Sequence, residues 1–153
     1  MSANVRLGHV SIPSQQPREV AGFYRALLGL EVSMEGSIPA LGDFVFLSRQ
    51  AADELPLIVL CTEQKARHSA AEVQSLTELK ELLGNAQAND IRASFALNHG
   101  CSLSLYFHDP EGNLLEVYWP TGRKTDEPIS QPLDLDVLAR PDTELLELIN
   151  APA

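Results

Sequence analysis

The chain is 153 residues long, 44% hydrophobic, and carries a formal net charge of −10. That is enough apolar material for a domain with a core of its own. The excess of acid argues against nucleic acid or an anionic membrane as partner and keeps a protein soluble.

No apolar run approaches the ~20 residues of a transmembrane helix. The start, MSANVRLGHV, has neither a long apolar core nor a cleavage pattern, so no signal peptide is expected and the cytoplasm is the default compartment. Cys61 and Cys101 both fall in predicted strands, as small buried thiols rather than a disulfide.

In chain order, Val5 to Ile12 reads as a strand with Leu7, His9 and Ser11 on one face and Val10 and Ile12 on the other. Pro17 opens a helix, where its missing N–H costs nothing. Val20, Tyr24, Leu27 and Leu28 form its apolar stripe, and Gly29 its C-cap. Leu30 to Met34 is a short strand, Glu35 to Gly42 a loop, and Phe44 to Ser48 and Leu57 to Thr62 two more strands. The order is β, α, β, β, β.

The order then repeats. Ala66 to Val73 reads as a strand, and Ser75 opens a helix with Glu78 three positions on, the pattern of a capping box. Leu76, Leu79, Leu82 and Leu83 make the apolar face, and Gly84-Asn85 is the expected end. Arg92 to Leu97 follows as a strand. Ser102 to His108 and Leu114 to Trp119 form a hairpin around Asp109-Pro110-Glu111-Gly112-Asn113, residues suited to a tight turn. A turn centred on Glu111 places Tyr106 opposite Glu116 on one face of the sheet.

Glu116 is a carboxylate in an apolar strand, and burying it unpaired is costly. A salt bridge or an exposed edge would satisfy it; so would a metal. His9 lies near the start of the first unit and His68, 59 residues on, near the start of the second. Each could be a structural histidine. Together with Glu116 they make a set of two imidazoles and one carboxylate that suits Fe(II), Mn(II), Co(II) or Zn(II) and leaves coordination positions open. In the first unit, the position corresponding to Glu116 is Val59.

GHVSI with FYRALLGLEV, RHSAAEV with SLTELKELL, and above all SLYFHDPEGNLLEVYW resemble the vicinal oxygen chelate superfamily: glyoxalase I, bleomycin-resistance proteins and type I extradiol dioxygenases. These stretches span nearly all of residues 5–120. The resemblance implies an α+β fold of two tandem βαβββ modules, residues 1–63 and 64–122, forming one cup-shaped mixed sheet, with 123–153 as a C-terminal arm and short helix. It implies a divalent metal on His9, His68 and Glu116.

Glyoxalase I enzymes usually supply four protein ligands, and Val59 cannot coordinate. The segment HG…S…YF.DP.GN..E is similar to small ring-cleaving, catechol 2,3-dioxygenase-like enzymes, which use two His and one Glu. There a substrate-contacting His and a Tyr ten residues before the ligand Glu would be His99 and Tyr106. The implied reaction is extradiol cleavage: a catechol chelates Fe(II), and the ring opens with O₂ beside the hydroxyls while His99 and Tyr106 donate hydrogen bonds or protons. Larger extradiol enzymes place an acid–base His ahead of the second metal His; here that region is Asp53-Glu54-Leu55. His108 stands where an Arg is expected, as a turn cap or facing solvent. The alternatives are a glyoxalase-like isomerase or lyase using Zn, Ni or Co, and a small-molecule binding protein of the bleomycin-resistance kind.

Pro120 to Pro141 reads as an extended arm, and Asp142 caps a short helix with Leu145, Leu146, Leu148 and Ile149 on its apolar side. A helix this short needs something to dock on. A homodimer is the expected assembly, with this helix across its interface or over the cup's mouth as a lid.

Overall fold

The computed structural model describes residues 4–53 and 55–150, so Glu54 of the Asp53-Glu54-Leu55 region lies outside the described residues. The chain divides into two compact units: Gly8–Ala70, and Ala71 onward with the stretch ending at Leu7. The boundary falls inside the fifth strand. Among the described residues no helix is long and apolar enough to cross a membrane.

The first unit holds β1 (Arg6–Pro13), α1 (Pro17–Leu28), β2 (Glu31–Ile38), β3 (Gly42–Ser48) and β4 (Ile58–Cys61). β2 is antiparallel to β3, β3 antiparallel to β4, and β4 runs parallel to β1 with Val10 opposite Ile58 and Ser11 opposite Val59. Val10 and Ile12 point into the core with Ala21, Val45, Leu47 and Leu60. Alternation therefore sends His9 and Ser11 to the other face, as expected.

Two expectations fail here. β2 continues to Ile38 through a stretch read as loop, with a bulge between Val32 and Met34. Gly36 lies close to the Phe44 ring on β3: a Cβ there would come 3.3 Å from it, a tight contact. In α1, Val20 and Tyr24 do pack on the core, but Leu27 and Leu28 are 65% and 56% exposed and Phe23 60%. The buried arc is centred on Pro17 and Ala21, which turns the last turn outward. Gly29 does cap the helix, at φ 67° with its N–H on the Arg25 carbonyl.

The second unit takes the end of β5 (His68–Glu72), then α2 (Leu76–Ala88), β6 (Phe95–Asn98), β7 (Ser102–His108), β8 (Leu114–Pro120), β9 (Gln131–Leu133) and α3 (Asp142–Asn150). β8, β7, β6 and β9 pair antiparallel in that order. Ser75 caps α2, its hydroxyl accepting from the Glu78 N–H at 3.1 Å. The reciprocal arm reaches one residue further out, to the Gln74 N–H at 2.7 Å. α2 does not stop at Gly84-Asn85. Leu83 and Ala86, on either side, are buried, and that packing outweighs the ~1 kcal/mol disfavouring Gly in a helix.

The tail packs within the second unit. β9 adds a strand to β6, and α3 buries Leu145 and Ile149 in the same core as Leu79 and Leu83 of α2. Lys80 of α2 holds the start of α3 through the Arg140 carbonyl at 2.7 Å and the Asp142 carboxylate. This core buries Leu103, Leu105 and Phe107 on one face of β7, and Ser102, Ser104 and Tyr106 on its other face are buried as well.

Candidate metal centre and acid–base pair

In the first unit, β1 presents His9 and the start of β5 presents His68. Their Nε2 atoms stand 3.0 Å apart, with the rings edge to face. His68 Nδ1 lies 2.7 Å from the Ala66 carbonyl, which only accepts, so Nδ1 carries the proton and Nε2 presents a lone pair. Fixing a tautomer through a backbone carbonyl is how ligand histidines are oriented. Two imidazole nitrogens at this separation either share a hydrogen bond, His9 Nε2–H donating to His68 Nε2, or, with both presenting lone pairs, stand ready to hold a cation. The donor chemistry therefore fits a divalent ion.

Val59 lies on the same face as His9, beside Ser11, and is buried. Phe46 pairs with Val59, and Phe44 with Cys61. Apart from the histidines this face is mostly apolar. Cys61 is a free, fully buried thiol whose pKa burial pushes up.

In the second unit the turn places Tyr106 opposite Glu116, as expected. Asp109 builds that turn: its carboxylate accepts from the backbone N–H of Glu111 and Asn113 and from the Asn113 amide, all at 2.8–2.9 Å. Gly112 supplies the positive φ, while Asn113 acts through its side chain. Glu116 is 3% exposed, and Ser104 donates its hydroxyl to Oε1 at 2.6 Å. His99 Nε2 lies 2.9 Å from the Tyr106 hydroxyl and 4.0 Å from Glu116 Oε1. Burial first, then the charge of Glu116, pushes the Tyr106 phenol far above its ordinary range, so it stays a proton donor. Phe95 stacks on Tyr106, with ring centres 4.4 Å apart.

The structure thus brings His9 to His68 in one unit and His99 to Tyr106 and Glu116 in the other. His108 is exposed and bonds the Ser94 hydroxyl, apart from both groups. Cys101 sits in the bend before β7 rather than in a strand. Ser104 went unread in the sequence, although the expected register already placed it on the face of Glu116. Tyr118 is buried and donates to Glu72 at 3.2 Å, with Arg6 on the other carboxylate oxygen at 2.7 Å.

The glyoxalase/bleomycin resistance protein/dioxygenase superfamily model matches residues 6–117. No curated protein matches the chain in sequence. Among solved structures it is similar to a catechol 2,3-dioxygenase, at 25% identity and TM-score 0.59 over 80% of this chain and 46% of that one. It is similar to the Mn(II)-bound glyoxalase from Novosphingobium aromaticivorans, at 15% identity and TM-score 0.60 over 86% and 40%. It is also similar to a methylmalonyl-CoA epimerase solved with methylmalonyl-CoA, at 18% identity and TM-score 0.58 over 81% and 99%. The chain spans less than half the length of that dioxygenase and that glyoxalase, and at these identities the last two likenesses show the fold alone. With more than two thirds of its length matched, the chain belongs to the glyoxalase/bleomycin resistance protein/dioxygenase superfamily.

Proposed function

We propose that the chain is an extradiol-type dioxygenase that opens a catecholic ring with O₂, its divalent metal, Fe(II) or Mn(II), held by His9, His68 and Glu116. The observation that carries this reading is the His99–Tyr106 pair at 2.9 Å, with Tyr106 on β7 directly opposite Glu116 on β8. Such a pair suits a substrate with two acidic hydroxyls. His99 Nε2 takes the proton of one hydroxyl as that O–H bond breaks, and returns it to the ring-opened product. Tyr106 keeps its proton and donates a hydrogen bond to a substrate oxygen. Ser104 holds the carboxylate of Glu116 in place. The ion, when bound, supplies Lewis acidity that favours the ionised diol and the redox capacity O₂ chemistry needs.

The glyoxalase-like reading is weaker for a chemical reason. Enzymes of that kind usually supply four protein ligands, and where the first unit would present the fourth it has Val59, which cannot coordinate.

The test is oxygen uptake by iron-loaded protein with a panel of catechols. Wild type should consume O₂ in step with ring opening. Tyr106→Phe and His99→Gln should keep the metal and lose about a hundredfold in kcat. Turnover without O₂ uptake would favour an isomerase or lyase. Tight catechol binding without turnover in the loaded wild type would favour a sequestering protein.

A further inference from the structure

The family match ends at residue 117, yet the chain beyond it reaches the acid–base pair. His99 Nδ1 is bonded to the backbone carbonyl of Ile129. Four features hold Ile129 there. β9 begins two residues later and pairs with β6, with Gln131 opposite Asn98. The Thr121 hydroxyl donates to the Gly100 carbonyl. Gly100 sits at φ 73° with its N–H on the Asn98 side chain at 2.9 Å. A Cβ on Gly100 would come within 2.7 Å of Thr125 Cγ2 and 3.3 Å of Ile129 Cδ1, so the strap lies flat on the His99 loop only because residue 100 is glycine. Arg123 ties the same strap to the end of α3 through the Ile129-independent Ile149 carbonyl at 2.7 Å.

We propose that this strap, residues 121–133, is a positioning element of the catalytic pair: the Ile129 carbonyl sets the tautomer of His99. A carbonyl can only accept, so on the neutral ring Nδ1 carries the proton and Nε2 presents its lone pair. That is the state in which Nε2 accepts from the Tyr106 hydroxyl and can take a proton from a substrate hydroxyl. After that transfer the charged ring keeps its Nδ1–H on Ile129, which holds the ring plane while the proton is returned. With the strap displaced, the ring is free to carry its single proton on Nε2, where it can donate to Tyr106 but cannot act as a base. The catalytic consequence rests on the ring-cleavage reading; the tautomer does not.

The experiment is a long-range ¹H–¹⁵N spectrum of ring-¹⁵N-histidine in the full chain, with His99 assigned by His99→Gln. In wild type, His99 should show a protonated Nδ1 and an unprotonated Nε2. Gly100→Ala pushes the strap off the loop, and Thr121→Val removes its hydrogen bond without altering backbone strain at Gly100. In each, the His99 signals should shift toward the Nε2–H form while those of the exposed His108 stay fixed. With a catechol that wild type turns over, kcat should fall about tenfold to a hundredfold and KM should change far less. An Nε2-protonated His99 in wild type, or an unchanged tautomer in both folded variants, overturns the proposal. An Nδ1-protonated His99 in a wild type that cleaves no catechol would uphold the positioning role and reject the ring-cleavage reading instead.

Discussion

The two units run through the same element order and put it to different use. In the first, the face that carries His9 continues with Val59, Phe46 and Phe44, and no carboxylate stands in β4. In the second, the last strand of the βαβββ run carries Glu116, with Ser104 and Tyr106 across from it on β7. The helices diverge as well. α2 is covered by α3, with Leu145 fully buried, whereas α1 leaves Phe23, Leu27 and Leu28 exposed. One topology thus tolerates either an apolar or an ionisable position at the same point of its last strand, provided the polar version brings its own donors.

The strongest way to break the comparison is to make the first unit resemble the second. Val59→Glu buries a carboxylate beside Phe46 and the Ser11 hydroxyl, with no ion present to offset its charge. Without metal it should cost about 4 kcal/mol in urea unfolding, the scale of an uncompensated buried charge. A divalent ion should recover more stability in the variant than in wild type, because the new carboxylate lies on the face of His9. Equal metal-dependent gains in both would show that Val59 does not stand at a ligand position.

The helices give the next contrast. Leu145→Ala should destabilise by about 3 kcal/mol, since it empties a fully buried site. Leu27→Ala should stay within about 0.5 kcal/mol. A large loss at Leu27 would mean that another surface covers α1 in solution. Gly29→Ala, at φ 67°, should cost about 1 kcal/mol, seen as a lower urea midpoint with an unchanged slope.

The smallest effect belongs to the turn that sets the Tyr106–Glu116 register. The Asn113 amide, and then the backbone N–H groups of the turn, hold the Asp109 carboxyl below its usual range. A depressed folded pKa adds stability above the unfolded value of about 3.9, and this stability is lost as pH falls through the folded pKa. Asp109→Asn should therefore flatten the acid limb of stability against pH. An unchanged limb would place the acid sensitivity elsewhere.

Much of this was legible. The doubled order, the Ser75 and Gly29 caps and the hairpin register follow from local chemistry: alternation, a hydroxyl before an apolar stripe, and a turn whose residues permit one register. What was not legible depends on groups distant in sequence. Gly36 looked like a loop because the Phe44 ring that passes it lies on another strand. Gly84 looked like a helix end because Leu83 and Ala86 hold the helix through packing. The Ile129 carbonyl has no side-chain signature at all, so its place on His99 could not be read from residue types. The tail helix was read as needing a dock, and that need is met within its own unit because Leu138, Leu145 and Ile149 complete the core over α2.

The central claim is the ligand set, and metal content tests it most directly. Protein purified without oxygen should carry about one Fe or Mn per chain, with His68→Ala and Glu116→Ala both losing it while staying folded. Nickel, cobalt or zinc in that place would favour glyoxalase-like chemistry on the same ligands. Metal retained in either variant, or none bound by wild type after reconstitution, would contradict the account.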